Sequence, residues 1–271
     1  MKTVSHFRVA SRNPVADNIY RLDLVLSNGN IPAIPEPGQF VMVSPVTSTS
    51  VLPRPFSVYQ ASHERFSIVF KIVGDNTRAL AFGDINRQLI VTGPCGQPAK
   101  INDQAKTFIL VSGGCGLASL HYLASEIRNS TKADIILAAG FPTAQQVFGQ
   151  NDFEKNLEVE MNIATDDGSR GTKGTAFDVF REIIFGEENL PSPDDIQVFT
   201  CGPSAMMKAV AKLCQQEAIF CNVFLEEMMG CGLGSCKGCA IQTTSGVKHI
   251  CKDGPVFDAM EILSYVQTES S

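Results

Sequence analysis

No stretch of the sequence approaches the ~20 consecutive apolar residues that a membrane-spanning helix needs. Its opening, MKTVSHFRVASRNPVADNIY, lacks the apolar core of a secretory signal. The expectation is a protein of the cytoplasm with no membrane partner. Basic patches are missing too: 22 Lys and Arg stand against 28 Asp and Glu, a net charge of −6. Without clustered cations there is no footprint for a phosphate backbone, so nucleic acid is not an expected ligand. The lack of an export signal, together with an odd number of cysteines, nine, argues against a disulfide framework, which a reducing compartment does not sustain. Internal repeats and low-complexity tracts are likewise missing.

What remains is the composition of an ordinary globular protein, 44% hydrophobic and 18% charged, able to bury a substantial core. At 271 residues the chain has room for about two domains and a small appendage. Up to about residue 102 it reads as short alternating apolar runs (NIYRLDLVL, GQFVMVSP, FSVYQ, RFSIVFKIV, RQLIVTGP) punctuated by Gly, Pro, Asn and Asp. That pattern predicts an all-β antiparallel barrel or sandwich. From 103 to 222 apolar runs alternate with helical periods: KTFILVSGG before LASLHYLASEIRN, ADIILAAG, LEVEMNIATDD before GTAFDVFREIIF, and IQVFTCG before PSAMMKAVAKLCQQE. Strands alternating with helices predict a parallel sheet covered on both faces, an α/β domain. The remainder, 223–271, is too short for a core of its own and needs a staple.

That staple is legible in EEMMGCGLGSCKGCAIQTTSGVKHICKDGPVF. Cys231, Cys236, Cys239 and Cys251 follow the spacing C-x4-C-x2-C-x11-C. Structural zinc ordinarily pairs two separated short knuckles, whereas this spacing is the plant-type pattern of a 2Fe–2S cluster. Gly232, Gly234 and Gly238 give the loop the freedom to turn backbone N–H groups toward a buried anionic group. His249 is a single imidazole where a Rieske centre needs two, and it is expected on a surface strand. A zinc-stabilised binding module is the alternative. The scattered Cys95, Cys115, Cys201, Cys214 and Cys221 are expected to be small buried hydrophobes.

Three further motifs stand in order along the chain. In LPRPFSVYQ, Pro53 and Pro55 hold the backbone extended around Arg54, whose planar fork suits a pyrophosphate. In FILVSGGCGLASLHYLASEI a strand ends in Gly113, Gly114 and Gly116 and a helix begins, offering its N-terminal amides to phosphate. TDDGSRGTKG and TCGPSAMM each end a further strand in a polar or Gly-Pro loop, with Met206 and Met207 expected in the core. Together with PGQFVMVSP, FKIVGDNTRALAF and LIVTGPCGQP, this order resembles the ferredoxin reductase superfamily. The resemblance implies FAD lined by Arg54, Pro55, Phe56, Ser57, Val69, Phe70, Lys71, Asn76 and Thr77, with the Ser57 hydroxyl beside the isoalloxazine ring. It implies NAD held by Gly113, Gly114, Gly116, Thr165, Asp166, Asp167, Gly168, Cys201, Gly202 and Pro203. Cys201 is then expected beside the nicotinamide where hydride passes to flavin N5, so that Cys201 and Ser57 are the catalytic candidates. The superfamily's G-G-G-I-G-x-A-P-L is altered here, with Ser112, Cys115 and Ser119 in the first Gly, Ile and Pro places. Asp166, Asp167 and Arg170 are candidates for reading the ribose or its 2′-phosphate, which leaves NAD and NADP both open.

With the C-terminal CGLGSCKGC…CKDGPVF added, the chain resembles over nearly its whole length the electron-transfer subunit family of the two-subunit, NAD-linked (class 1B) dihydroorotate dehydrogenases. What the resemblance implies is an oxidoreductase subunit of pyrimidine biosynthesis. Electrons would arrive from a separate FMN-containing catalytic subunit, in an assembly of two of each chain, and leave through the cluster and FAD to NAD+. Similar chains serve as NAD(P)H-handling flavin and iron–sulfur subunits of sulfhydrogenases and of ferredoxin:NADP oxidoreductases. Some of those carry Asp for one cluster Cys, whereas this chain retains all four. A free-standing NADH oxidase or ferredoxin reductase is a further alternative.

Overall fold

The computed structural model describes residues 3–27, 31, 33–45, 52–86, 88–186 and 190–262. The last part of the expected C-terminal segment, 263–271, lies outside them. The chain divides into two compact units: Met1–Ala99 with Glu226–Ile241 and Lys248–Pro255, and Lys100–Leu225 with Gln242–Val247 and Val256–Ser271.

The first unit is built on six antiparallel strands, β1 (Thr3–Ala16), β2 (Ile19–Leu26), β3 (Phe40–Pro45), β4 (Arg54–Ala61), β5 (Arg65–Lys71) and β6 (Gln88–Cys95). They close into a barrel in the order β1-β2-β5-β4-β3-β6. Closure pairs each strand with a neighbour on both sides over most of its length, and the residues turned inward form the core: Leu22, Leu24 and Ile68 are all buried. Edge-to-face aromatic pairs, Phe7 on Phe66 at 5.0 Å and Phe56 on Phe70 at 5.5 Å, fill the barrel further. One helix, α1 (Asp75–Phe82), stands where β structure alone was expected. Its start is fixed by Thr77, whose hydroxyl accepts the Val73 and Gly74 N–H groups at 3.0 and 3.1 Å, a capping arrangement that satisfies donors outside the helical ladder.

The second unit carries β7 (Thr107–Gly113), α2 (Leu117–Ser130), β8 (Asp134–Phe141), β9 (Met161–Thr165), β10 (Thr172–Lys173), α3 (Ala176–Gly186), β11 (Ile196–Cys201), α4 (Ser204–Gln216) and β12 (Phe220–Phe224). After β13 (Ala240–Thr243), β14 (Gly246–His249) and the single turn α5 (Ile250–Asp253), β15 (Val256–Asp258) returns to this sheet. The order is β10-β9-β8-β7-β11-β12-β15, with β13 and β14 forming a separate two-stranded sheet. All neighbours in the large sheet run parallel except β15, which is antiparallel to β12. The central strands are apolar runs buried along their length, as a sheet covered on both faces requires. Leu117, Leu120, Leu123, Ala124 and Ile127 give α2 its buried stripe, and Val179, Phe180 and Ile183 do the same for α3.

A buried amide ties this unit's first loop to its sheet. Gln197 is 1% exposed; its Nε2 donates to Lys100 O (2.9 Å) and Asn222 Oδ1 (2.7 Å), while its Oε1 accepts the Asn102 N–H (2.8 Å). Gln197→Ala strands these partners in a dry interior and is expected to lower the unfolding free energy by roughly 2–4 kcal/mol, measured by chemical denaturation.

Candidate functional site

The cysteine loop belongs to the first unit and lies on β3: a Cβ added at Gly232, whose φ is +67°, would sit 2.4 Å from Met42 Cγ. The four thiols are arranged as two pairs. Cys239 and Cys251 bring their sulfurs to 3.3 Å, and the Cys251 N–H points at Cys239 Sγ at 3.5 Å. Cys231 and Cys236 interact with each other, and Cys231 Sγ accepts N–H groups from Leu233 at 3.3 Å and Cys236 at 3.5 Å. Desolvation pushes the Cys231 thiol up, but those backbone donors, helped by the Cys236 side chain and Ser235, outweigh it and bring its pKa down to about 6. Among the described residues, no three His, Cys, Asp or Glu side chains converge as ligands of one ion. Two sulfur pairs with inward N–H groups suit a two-metal group taking two thiolates per metal, and fit a single tetrahedral ion poorly. His249 ends β14 half-buried instead of on the surface: its Nε2 is buried without a hydrogen-bond partner, and its Nδ1 lies 3.9 Å from Asp253 Oδ2.

The barrel register opens a second feature of the same unit. Arg54, Pro55, Phe56 and Ser57 pair with β3, but β4 pairs with β5 only from Val58 onward. On β5, Val69, Phe70 and Lys71 pair with β2 alone. Two stretches of strand therefore face one another without ladder bonds, and they contain the barrel residues expected to line FAD. Arg54 is exposed, Ser57 and Lys71 are half-buried, and Val69 and Phe70 are buried. Following β5, Asn76 and Thr77 are buried in the first turn of α1, and a Cβ at Gly74 would meet nothing within 4 Å. The start of this helix is open, as phosphate binding by helix amides requires. The Thr77 hydroxyl is already engaged in the cap, donating to Gly74 O at 2.9 Å.

In the second unit the strand order reverses between β7 and β11, the position where open α/β sheets hold their ligands. The loops leaving these strands bring Gly113, Gly116, Cys201, Gly202 and Pro203 together. A Cβ on Gly116 would lie 2.2 Å from Cys201 O, and one on Gly113 would lie 2.5 Å from Pro203 Cδ. These glycines serve loop-to-loop contact, a role that a phosphate-loop reading alone does not supply. Beneath them Ser112 Oγ and Thr200 Oγ1 are buried with no hydrogen-bond partner; Ser112 was visible as a departure from the glycine pattern, Thr200 carried no signal. Cys201 is buried, as are Cys95, Cys214 and Cys221, whereas Cys115 is half-exposed. Met207 is buried; Met206 is half-exposed and reaches the Gly113 and Gly202 backbones. After β9 the Thr165–Gly168 turn is held by Thr165 Oγ1, which accepts the Arg170 N–H at 3.0 Å and donates to Arg170 O at 2.8 Å. Hydrogen bonds from the Ser169 side chain and backbone hold the Asp167 carboxyl below the usual carboxylate range, and the Arg170 guanidinium bonds Gln150 Oε1.

A closed antiparallel barrel with an opened strand pair, joined in one chain to a doubly wound sheet with Gly-rich loops at its switch point, defines the ferredoxin reductase class of fold. Among solved structures, that of the NADH-dependent reduced ferredoxin-NADP oxidoreductase superposes with a TM-score of 0.81 at 24% identity, covering 94% of this chain and 88% of that one. Residues 226–263 match the iron–sulfur cluster binding domain of dihydroorotate dehydrogenase B. The dihydroorotate dehydrogenase B (NAD(+)) electron transfer subunit of Caldanaerobacter subterraneus subsp. tengcongensis is 34% identical, with 94% of this chain and 97% of that protein covered. Its counterpart in Clostridium acetobutylicum is 32% identical, with 92% and 93% covered. The chain belongs to the family of dihydroorotate dehydrogenase B electron transfer subunits.

Two outcomes are expected from this geometry. Gly116→Ala forces the β7 and β11 loops apart and should destabilise the second unit by roughly 1–3 kcal/mol, read as a lowered midpoint for its unfolding. In the iron-free chain, Cys231 is thiol below and thiolate above pH 6, so its alkylation rate should rise through a midpoint near that value and level off by neutral pH, measured by peptide mass mapping.

Proposed function

We propose that this chain is the electron-exporting subunit of a dihydroorotate-oxidising complex. It receives electrons from a separate FMN-containing catalytic subunit through a 2Fe–2S cluster on Cys231, Cys236, Cys239 and Cys251, and delivers them by way of FAD to NAD+. The observation that carries this reading is the paired thiols seated on the same barrel that bears the Arg54–Ser57 strand. Family membership supports the partner, and an assembly of two copies of each chain in the cytoplasm follows the same reading; no described helix is long and apolar enough to cross a membrane.

A bound flavin exchanges hydride with a nicotinamide and single electrons with an iron–sulfur centre, which is why a chain serving both needs both sites. The residues divide the work. Arg54 and the open first turn of α1 bind the flavin's phosphates, Phe56 and Phe70 exclude water from the barrel side, and Ser57 orients a hydroxyl toward the ring. Backbone N–H groups from Leu233, Cys236 and Cys251 hold charge on the sulfurs they face. Gly113, Gly114 and Gly116 present the α2 end of the switch point to a pyrophosphate, and Cys201, Gly202 and Pro203 border the nicotinamide. Asp166 and Asp167 meet the ribose; with Asp167 ionised and the Arg170 guanidinium occupied by Gln150, the turn favours a free 2′-hydroxyl over a 2′-phosphate, hence NAD over NADP.

The purified chain should show flavin bands over a broad iron–sulfur absorption, both bleaching anaerobically with NADH; a colourless zinc protein would sink the reading. Cys231→Ser is expected to leave FAD bound while abolishing dihydroorotate-dependent NAD+ reduction in the reconstituted complex. Retention of that activity would count against the cluster as the route between subunits.

A further inference from the structure

The barrel's last strand runs on into Gly96 and Gln97, and this turn makes bonds that barrel closure does not require. The Gly96 N–H donates to the carbonyl of Cys251 at 3.1 Å and the Gln97 N–H to that of Gly254 at 2.6 Å. Gln97 Nε2 donates to the carbonyl of Lys252 at 2.8 Å. Three donors thus take two carbonyls within α5 and the one at its C-terminal cap, and α5 is the turn that carries the last thiol of the four. The turn is itself held from the barrel side, since Gln39 Nε2 donates to Gly96 O at 2.9 Å.

Only glycine fits at the centre of this contact. Gly96 has φ +81°, and a Cβ there would lie 2.5 Å from Gly254 O and 2.7 Å from Pro255 Cδ. One residue earlier, Cys95 is paired with Phe40 across β3 and β6, and Phe40 is paired with Ser57 across β3 and β4. A short run of ladder positions therefore leads from the strand that carries Ser57 to the carbonyl of Cys251. Cys251 is 1% exposed, so solvent does not compete for that carbonyl.

We infer that Gly96 and Gln97 are positioning residues for Cys251, fixing the fourth thiolate to the flavin-bearing barrel and thereby holding the cluster against loss. This rests on the reading of the four thiols as cluster ligands. Because only glycine fits at 96, and the backbone of this turn supplies two of the three donors, a substitution at Gly96 has the larger effect. The Gln97 amide, exposed to water, adds a smaller one.

The test uses the full-length chain with FAD and iron bound, under anaerobic conditions, and follows iron release to a ferrous chelator together with the electron paramagnetic resonance of the reduced cluster and the FAD-to-protein ratio. Gly96→Ala is expected to release iron roughly tenfold faster, the equivalent of forcing a non-glycine residue into the left-handed region. Gln97→Met, which keeps length and backbone but removes the donor, should release it about two- to fivefold faster. Both should shift the resonance while FAD stays at the wild-type ratio. Wild-type release rates and an unchanged resonance in both variants would overturn the inference. If Gly96→Ala loses FAD along with iron, Gln97→Met decides: faster release with FAD retained supports the clamp, and a wild-type rate overturns it. A wild-type chain that binds no iron would bring down the cluster reading and the clamp with it, an outcome visible before any variant is made.

Discussion

The structure depends on backbone meeting backbone at distances that leave no room for a side chain. At the switch point of the large sheet, Gly116 packs against the carbonyl of Cys201, and this contact brings the two ligand loops together. In the other unit, Gly96 packs against the carbonyl of Gly254 and carries the barrel's last strand onto the cysteine segment. Both contacts are steric before they are chemical. Hydrogen bonds and thiol geometry are possible because the main chains lie close enough, and a single methyl group at either place would move everything beyond it.

Much of this was legible in the sequence, for reasons that differ between elements. The alternation of NIYRLDLVL and RFSIVFKIV has the period of a pleated strand, and β2 and β5 form there, although β5 is buried without interruption from Phe66 to Phe70. FILVSGG before a helical period predicts a parallel strand and its helix, which are β7 and α2. Cysteine spacing is local covalent information, whereas the pairing of the thiols, Cys231 with Cys236 and Cys239 with Cys251, is set by the fold. By contrast α1, eight residues long, is too short for periodicity to announce. The burial of Ser112 and Thr200 and the half-burial of His249 depend on neighbours distant in the chain, which composition cannot name. The contact between Gln97 and Lys252 spans 155 positions and runs to a carbonyl that every residue possesses, so no residue type at that end could advertise it.

The thiols and the flavin strand also show how little side-chain chemistry the barrel needs to offer two functions. Its opened edge arises because β4 leaves β5 before Val58 while remaining paired to β3. Its sulfur face arises because a glycine-rich loop lies on the outward side of β3 at Met42. Strand β3 is common to both, and its unbroken pairing with β4 from Phe40 to Val43 keeps the two features at a fixed spacing along one element.

The division of the chain has a consequence for how it is made. The first unit is discontinuous: its barrel ends at Ala99, and the segments that complete it begin at Glu226 and at Lys248. A ribosome must therefore add the whole of 100–225 between them, a delay on the order of ten seconds. During that interval the turn at Gly96 and Gln97 is without its partners on α5, and the strands β7 to β12 of the other unit are synthesised first. Whatever the four thiols hold can be inserted only after 100–225 has been made, so maturation of this unit is timed by translation of the other.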